Sequence, residues 1–193
     1  MPRPKAFDRD TVLEQAMQLF WERGFEATSL QDLVDGTGVN RQSLYDTFGD
    51  KHALYLAALE CYRTGIGGRA FEALDDAGSL KTRLERMFNA LIEEALNDPC
   101  RKGCFVVNAT LELAARDAAV ATLSAQAQAA MIERFERLLR DQQRNGELSR
   151  DRDPHALALF LTNVVQGLRV MGKTAQTRAD LEPSVRVALS VLR

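Results

Sequence analysis

The stretch Thr28 to Lys51, TSLQDLVDGTGVNRQSLYDTFGDK, constrains this chain more than any other. It carries two short helical patterns with only a tight turn between them. Thr28 is a favoured N-cap, and Gln31 three residues later completes a capping-box spacing. Leu30, Leu33 and Val34 recur at helical intervals, and Gly38 is the residue type that ends a helix in the left-handed conformation. Asn40 caps a second helix, whose Leu44, Tyr45 and Phe48 turn inward while Arg41, Gln42, Ser43, Asp46 and Thr47 stay outside. Gly49 stops it and Asp50 caps a third helix from Lys51. Two helices joined this closely predict a helix-turn-helix.

Helical signals continue on both sides. Asp8 or Asp10 caps a first helix with Val12, Leu13, Ala16, Leu19 and Phe20 on one face and Gly24 at its end. Trp21 and Phe25 are expected to close the small core over Leu30 and Phe48. The third helix runs through Leu54, Leu56, Leu59 and Tyr62 to Gly65-Ile66-Gly67-Gly68, read either as a plain helix end or as a flexible joint. No strand or GxxxxGK[ST] pattern makes that cluster a phosphate loop. Further helices are expected from Ser79 to Asn97, Gly103 to Arg116, Ala118 to Asn145, Asp153-Pro154 to Lys173 and Leu181 to Leu192. No stretch alternates long enough for a sheet. The fold class is all-α, with an N-terminal domain over 1–50 and a C-terminal helical bundle over 51–193.

Composition narrows the function. With 193 residues, 46% apolar, a sizeable core is expected. The absence of a long apolar run or a leader pattern predicts a cytoplasmic protein without membrane partners. Three cysteines and two histidines without close pairing argue against disulfides and against a zinc site, so no metal or cofactor is expected. His52 and His155 begin separate helices with no nucleophile evident beside them, which speaks against an enzyme. Net charge is -2, and the first 51 residues hold six Lys+Arg against nine Asp+Glu. Any contact with nucleic acid therefore rests on placed cations and not on a basic domain.

The run GVNRQSLYDTFGDKHAL at Gly38 to Leu54 resembles the signature of the TetR family of bacterial transcriptional regulators, and the likeness covers about the first 55 residues. The resemblance implies a ligand-responsive regulator, most simply a repressor, that binds a palindromic double-stranded DNA operator as a homodimer. Where many relatives carry an aromatic and a histidine, this chain has Asp46 and Thr47. The exposed first turn of the second motif helix would enter the major groove. Gln42 suits adenine, Arg41 suits guanine or phosphate, and Ser43 reaches either. Thr28 and Lys51 start flanking helices where N-termini face phosphate, and Thr47 completes the outer face. The resemblance adds Gln31 and Tyr45 as contact positions. Arg3 and Lys5, between prolines, form either a minor-groove arm or a solvated terminus.

In the C-terminal domain, Met87, Phe88, Phe105, Phe135 and Phe160 are expected to line an effector cavity, with Cys104, Asn108 and Glu112 a polar line along one helix face. Cys100 to Phe105 resembles the cysteine region of electrophile-sensing family members, which offers an alternative in which Cys104 is the reactive thiol and Cys100 its resolving partner. The last two helices are apolar beyond one face. Leu161, Val164, Val165, Leu168, Val185, Ala188, Leu189 and Leu192 are the expected two-fold dimer interface, or else they complete the monomer core. An alternative from another class is a helical adaptor that does not bind DNA, which a gel shift would separate.

Overall fold

Side-chain caps start most of the helices. In the computed structural model, which describes residues 7–192, Asp8 accepts the Thr11 N–H at 2.7 Å and opens α1 (Arg9–Arg23). Asn40 accepts the Ser43 N–H at 3.0 Å and opens α3 (Arg41–Phe48), and Asp50 accepts the Ala53 N–H at 2.8 Å and opens α4 (Lys51–Thr64). Helix α2 (Leu30–Thr37) ends at Gly38, whose φ of 68° gives the left-handed turn into α3. Ser79 caps α5 (Leu80–Asn97), Asp117 caps α7 (Ala118–Arg144), and Asp153 with Pro154 at the first turn opens α8 (Pro154–Met171). Between them lies α6 (Phe105–Leu113), and α9 (Glu182–Ser190) ends the chain. Among the described residues there is no strand, so the all-α expectation holds.

One cap differs from expectation by a residue. Ser29, not Thr28, opens α2: its hydroxyl accepts the Asp32 N–H at 3.1 Å while Asp32 accepts the Ser29 N–H at 2.8 Å, a reciprocal capping box. Thr28 is fully buried and donates its hydroxyl to the Gly24 carbonyl at 2.6 Å. Gln31 is left outside, with its amide on Asp35 at 2.7 Å.

The glycine cluster is not a slack joint. The chain leaves α4 at Gly65 and continues as a 3-10 segment, Ile66–Leu74, which buries Ala70, Phe71 and Leu74. Gly67 lies so close to Tyr62 that an added Cβ would sit 2.6 Å from its ring. A close approach explains the glycine there better than freedom of motion does.

Two hydrophobic cores result. The first joins Val12, Ala16, Phe20, Leu33 and Leu44 to Tyr55 and Leu59 of α4, and extends to Phe105, Ala109 and Leu113 of α6. The second packs α5, α7, α8 and α9 through Leu84, Phe88, Ile92, Phe135, Leu139 and their neighbours. Helix α4 is thus the shared element, packed on α1 and α3 along one face and on the 3-10 segment and α6 along another. Among the described residues no helix is long and apolar enough to cross a membrane.

Candidate functional site

The first candidate surface is the start of α3. Arg41 and Gln42 are exposed and Ser43 is half-buried, so the turn faces solvent. Tyr45 and Thr47 are half-buried, and the Arg41 guanidinium lies 5.4 Å from the centre of the Tyr45 ring. The Gln42 amide donates to Asp46 at 2.8 Å, one helical turn on. The carboxylate keeps its charge, and the bond ties the Gln42 side chain along the helix. Lys51, at the N-terminus of α4, holds its ammonium 4.3 Å above the Phe25 ring. Arg23 bridges to Asp32 at 2.6 Å across α1 and α2. Gln31, Arg41, Gln42, Ser43, Tyr45, Thr47 and Lys51 are all at least partly exposed. The buried Thr28 side chain leaves that set, because its hydroxyl is spent on Gly24. The arm residues Arg3 and Lys5 lie outside the described residues.

The second is a cavity of about 690 Å3 between α4, the 3-10 segment, α6, α7 and α8. Its apolar wall includes Phe71, Val106, Val107, Leu111 and Met131, and its polar side chains include Tyr62, Thr110, Asn163 and Gln166 together with Arg63, Arg134 and Arg169. Of the expected effector residues only Cys104 lines it. Met87, Phe88, Phe105 and Phe135 are each no more than 1% exposed and fill the cores, because large rings on inward faces pack before they line a void. Phe160 is 37% exposed on the outer side of α8.

The expected polar line on α6 also divides. Asn108 donates to the Lys102 carbonyl at 2.8 Å and accepts from Lys173 at 3.2 Å, which fixes the loop before α6. Glu112 reaches back to the first core. Its two oxygens accept the Phe25 N–H at 3.1 Å and the Glu26 N–H at 2.9 Å. These backbone groups lie between α1 and α2, where no helix satisfies them. Trp21 donates to the Gly103 carbonyl at 2.9 Å and packs edge-on against Tyr62, so it joins α1 to α4 and to the turn before α6, while it, Phe25, Leu30 and Phe48 all pack on the first core. Lys102 stacks over Trp21 and donates to Gln18. His52 pairs with Asp117 at 2.6 Å between α4 and α7. The Val120 N–H, with further help from His52, holds the Asp117 carboxyl below its ordinary range. Helices α4 and α6 therefore touch the cavity at one place and grip the α1–α3 unit at another.

The expected dimer residues are mostly interior. Leu161, Val165, Leu168, Val185 and Ala188 are buried in the second core, and Val164, Leu189 and Leu192 are half-buried against it. The exposed apolar side chains on these helices are Leu159, Phe160, Val170, Met171 and Val187. Helix α8 is apolar nearly all round, and its periodicity alone could not select the buried face.

Sequence reasoning missed Tyr62, Gln166 and Arg169 in the cavity. The signal was present: Gln166 and Arg169 stand one turn apart in an otherwise apolar helix. For Glu112 the signal was an acid in the apolar run FVVNATLEL.

Comparison with known proteins bears on these surfaces. The family described as "Bacterial regulatory proteins, tetR family" matches residues 12–58, and "Tetracyclin repressor-like, C-terminal domain" matches residues 81–188. The HTH-type transcriptional regulator YezE of Bacillus subtilis is 36% identical over 100% of both chains. The HTH-type transcriptional repressor ComR of Escherichia coli is 32% identical over 99% of this chain and 90% of its own. A cysteine mutant of the TetR family regulator CifR, solved with a 26 bp double-strand operator DNA, superposes with a TM-score of 0.87 at 33% identity, covering 99% of this chain and 100% of that one. With both halves matched and relatives aligned along its whole length, the chain belongs to the TetR family and is a DNA-binding transcriptional regulator, not an enzyme.

Proposed function

We propose that this regulator is a repressor, that two copies bind a palindromic operator through the first turns of their α3 helices, and that a small molecule in the 690 Å3 cavity releases them. The observation that carries the reading is the exposed Arg41–Ser43 turn, held at a fixed start by Asn40. Gln42 and Arg41 read base edges, with Ser43, Tyr45 and Thr47 beside them. Lys51 and Gln31 position the backbone. A lysine at a helix N-terminus adds positive charge to the positive end of a dipole, which a phosphate relieves. One α3 reads few base pairs, and a second copy doubles the site, with half-sites roughly 34–36 Å apart.

The homodimer face proposed here is the outer stripe of α8 and α9: Phe160 at 37%, Met171 at 49% and Val187 at 62% exposure. Burying such a stripe against its own copy is what a two-fold interface does. Release follows from the grips described above. A molecule that displaces α6 at Val107 or Leu111 also moves Glu112, and with it the backbone between α1 and α2. Sequencing DNA that co-purifies with the protein tests the whole reading. A shared inverted repeat with half-sites one helical turn apart is expected, and fragments without one would overturn it. A thiol-based reading has its own support, because Cys104 lines the cavity beside Tyr62. Under that reading Cys104→Ser abolishes release by electrophiles, and full release by the variant removes it.

A further inference from the structure

Among the charged residues that line the cavity, Arg63, Arg134 and Arg169, there is no acid. Two of the three are already paired. Arg63 makes a two-point contact with Glu60, and Arg134 reaches Asp75 at 2.5 Å and the Phe71 carbonyl at 2.8 Å. Arg169 is different. Its hydrogen-bond partners are neutral: the Tyr62 hydroxyl at 3.3 Å and the Gly67 carbonyl at 3.2 Å. Its charge also lies 5.7 Å from the Phe71 ring centre. Glu94 acts on it electrostatically, but no ion pair within 4 Å forms among the described residues. Its Nε is shut off from solvent with no hydrogen-bond partner. A half-buried guanidinium with no carboxylate bound to it is costly.

We infer that the effector is an apolar carboxylate that sets its acid group on the Arg169 guanidinium. From that inner end the wall becomes apolar through Val106, Val107 and Met131, and it reaches the surface at Leu111 and Val170. The acid head is therefore inside and the tail points to the mouth. A cation has no partner in such a lining, and a neutral molecule leaves the guanidinium uncompensated.

This ligand class rests on the proposed release by a small molecule, and its test keeps the two apart. Titration calorimetry on the full-length protein would compare decanoate and 1-decanol. The acid is expected to bind about tenfold or more tighter than the alcohol, as a charge-assisted bond implies. Arg169→Gln removes that margin. Equal binding of decanoate and 1-decanol by the native protein, or no binding of decanoate, overturns the inference, whether or not Arg169→Gln folds. Fluorescence anisotropy of operator DNA is run beside it. Acid that binds without releasing DNA leaves the ligand class standing and sinks the release mechanism.

Discussion

The DNA-reading unit and the cavity are built by opposite rules. Between α1 and α3 each boundary is decided by residues a few positions away: Asp8, Ser29 and Asn40 at the starts, and Gly24, Gly38 and Gly49 at the ends. The exposed face of α3 is whatever the inward pattern of Leu44 and Phe48 leaves over. The cavity has no such local author. Its wall takes Tyr62, Phe71, Val107, Met131 and Arg169 from five separate segments, and a shift in any of them reshapes it. A local device keeps its geometry while the protein around it moves. A device assembled from distant segments responds when one of them is pushed. A regulator needs both, joined by Glu112, Trp21 and His52.

The largest expected effect separates the two sides of α8. Leu161 has no solvent exposure, and Leu161→Ala is expected to cost about 2–5 kcal/mol in denaturant unfolding. Phe160→Glu, its exposed neighbour, is expected to keep the helical spectrum but sediment as a monomer at micromolar concentration. A Phe160→Glu variant that unfolds as readily as Leu161→Ala would show that the faces have been assigned the wrong way round.

Next come the joint and the reading surface, each worth about 1–3 kcal/mol. Glu112→Ala leaves the Phe25 and Glu26 N–H groups without their carboxylate. It is expected to lower stability, and to lower DNA affinity in the absence of any effector. Unchanged operator binding would detach α6 from the reading unit. Gln42→Ala is expected to erode preference for the operator, whereas Lys51→Ala weakens operator and random DNA alike and reduces the salt slope by about 1. Equal losses on both DNAs for Gln42→Ala would take it out of base reading.

What could be read from the sequence follows the same division. Asn40, Asp50 and Asp153 announced their helices because a cap acts over three residues. The start of α2 was displaced by one, since Thr28 and Ser29 are both good caps and each has a suitable partner three residues on; burial of Thr28 against Gly24 decided it. The face of α8 was not legible, because Leu159, Phe160, Leu161, Val164 and Val165 offer apolar groups in every direction. Tertiary packing chose Leu161 and Val165. The sequence pattern places the cavity among Met87, Phe88, Phe105, Phe135 and Phe160, yet four of these fill the cores, and the void lies beside Tyr62, Phe71, smaller apolar residues and three arginines.

The smallest effects test whether the caps hold the reading unit as locally as its pattern suggests. Ser29→Ala is expected to cost about 1 kcal/mol, the usual worth of an N-cap. The same box carries a pH dependence. Hydrogen bonds from the Ser29 hydroxyl and N–H, with Arg23 beside them, hold the Asp32 carboxyl below its ordinary value of 3.8. A depressed folded value means that the fold binds the ionised form. The stabilisation is therefore complete above the unfolded value and is lost as pH falls through the lower folded one. Relative to intrinsic exchange at each pH, the protection of the α2 amides is expected to fall on acidification from about pH 5 to 3, while α8 holds its protection through the same range. Asp32→Asn should flatten that response at a uniformly lower protection. If α2 and α8 instead loosened together, with the same midpoint and the same sensitivity to Asp32→Asn, the unit would not be an independent local device, and the second core would share in setting the geometry that DNA meets.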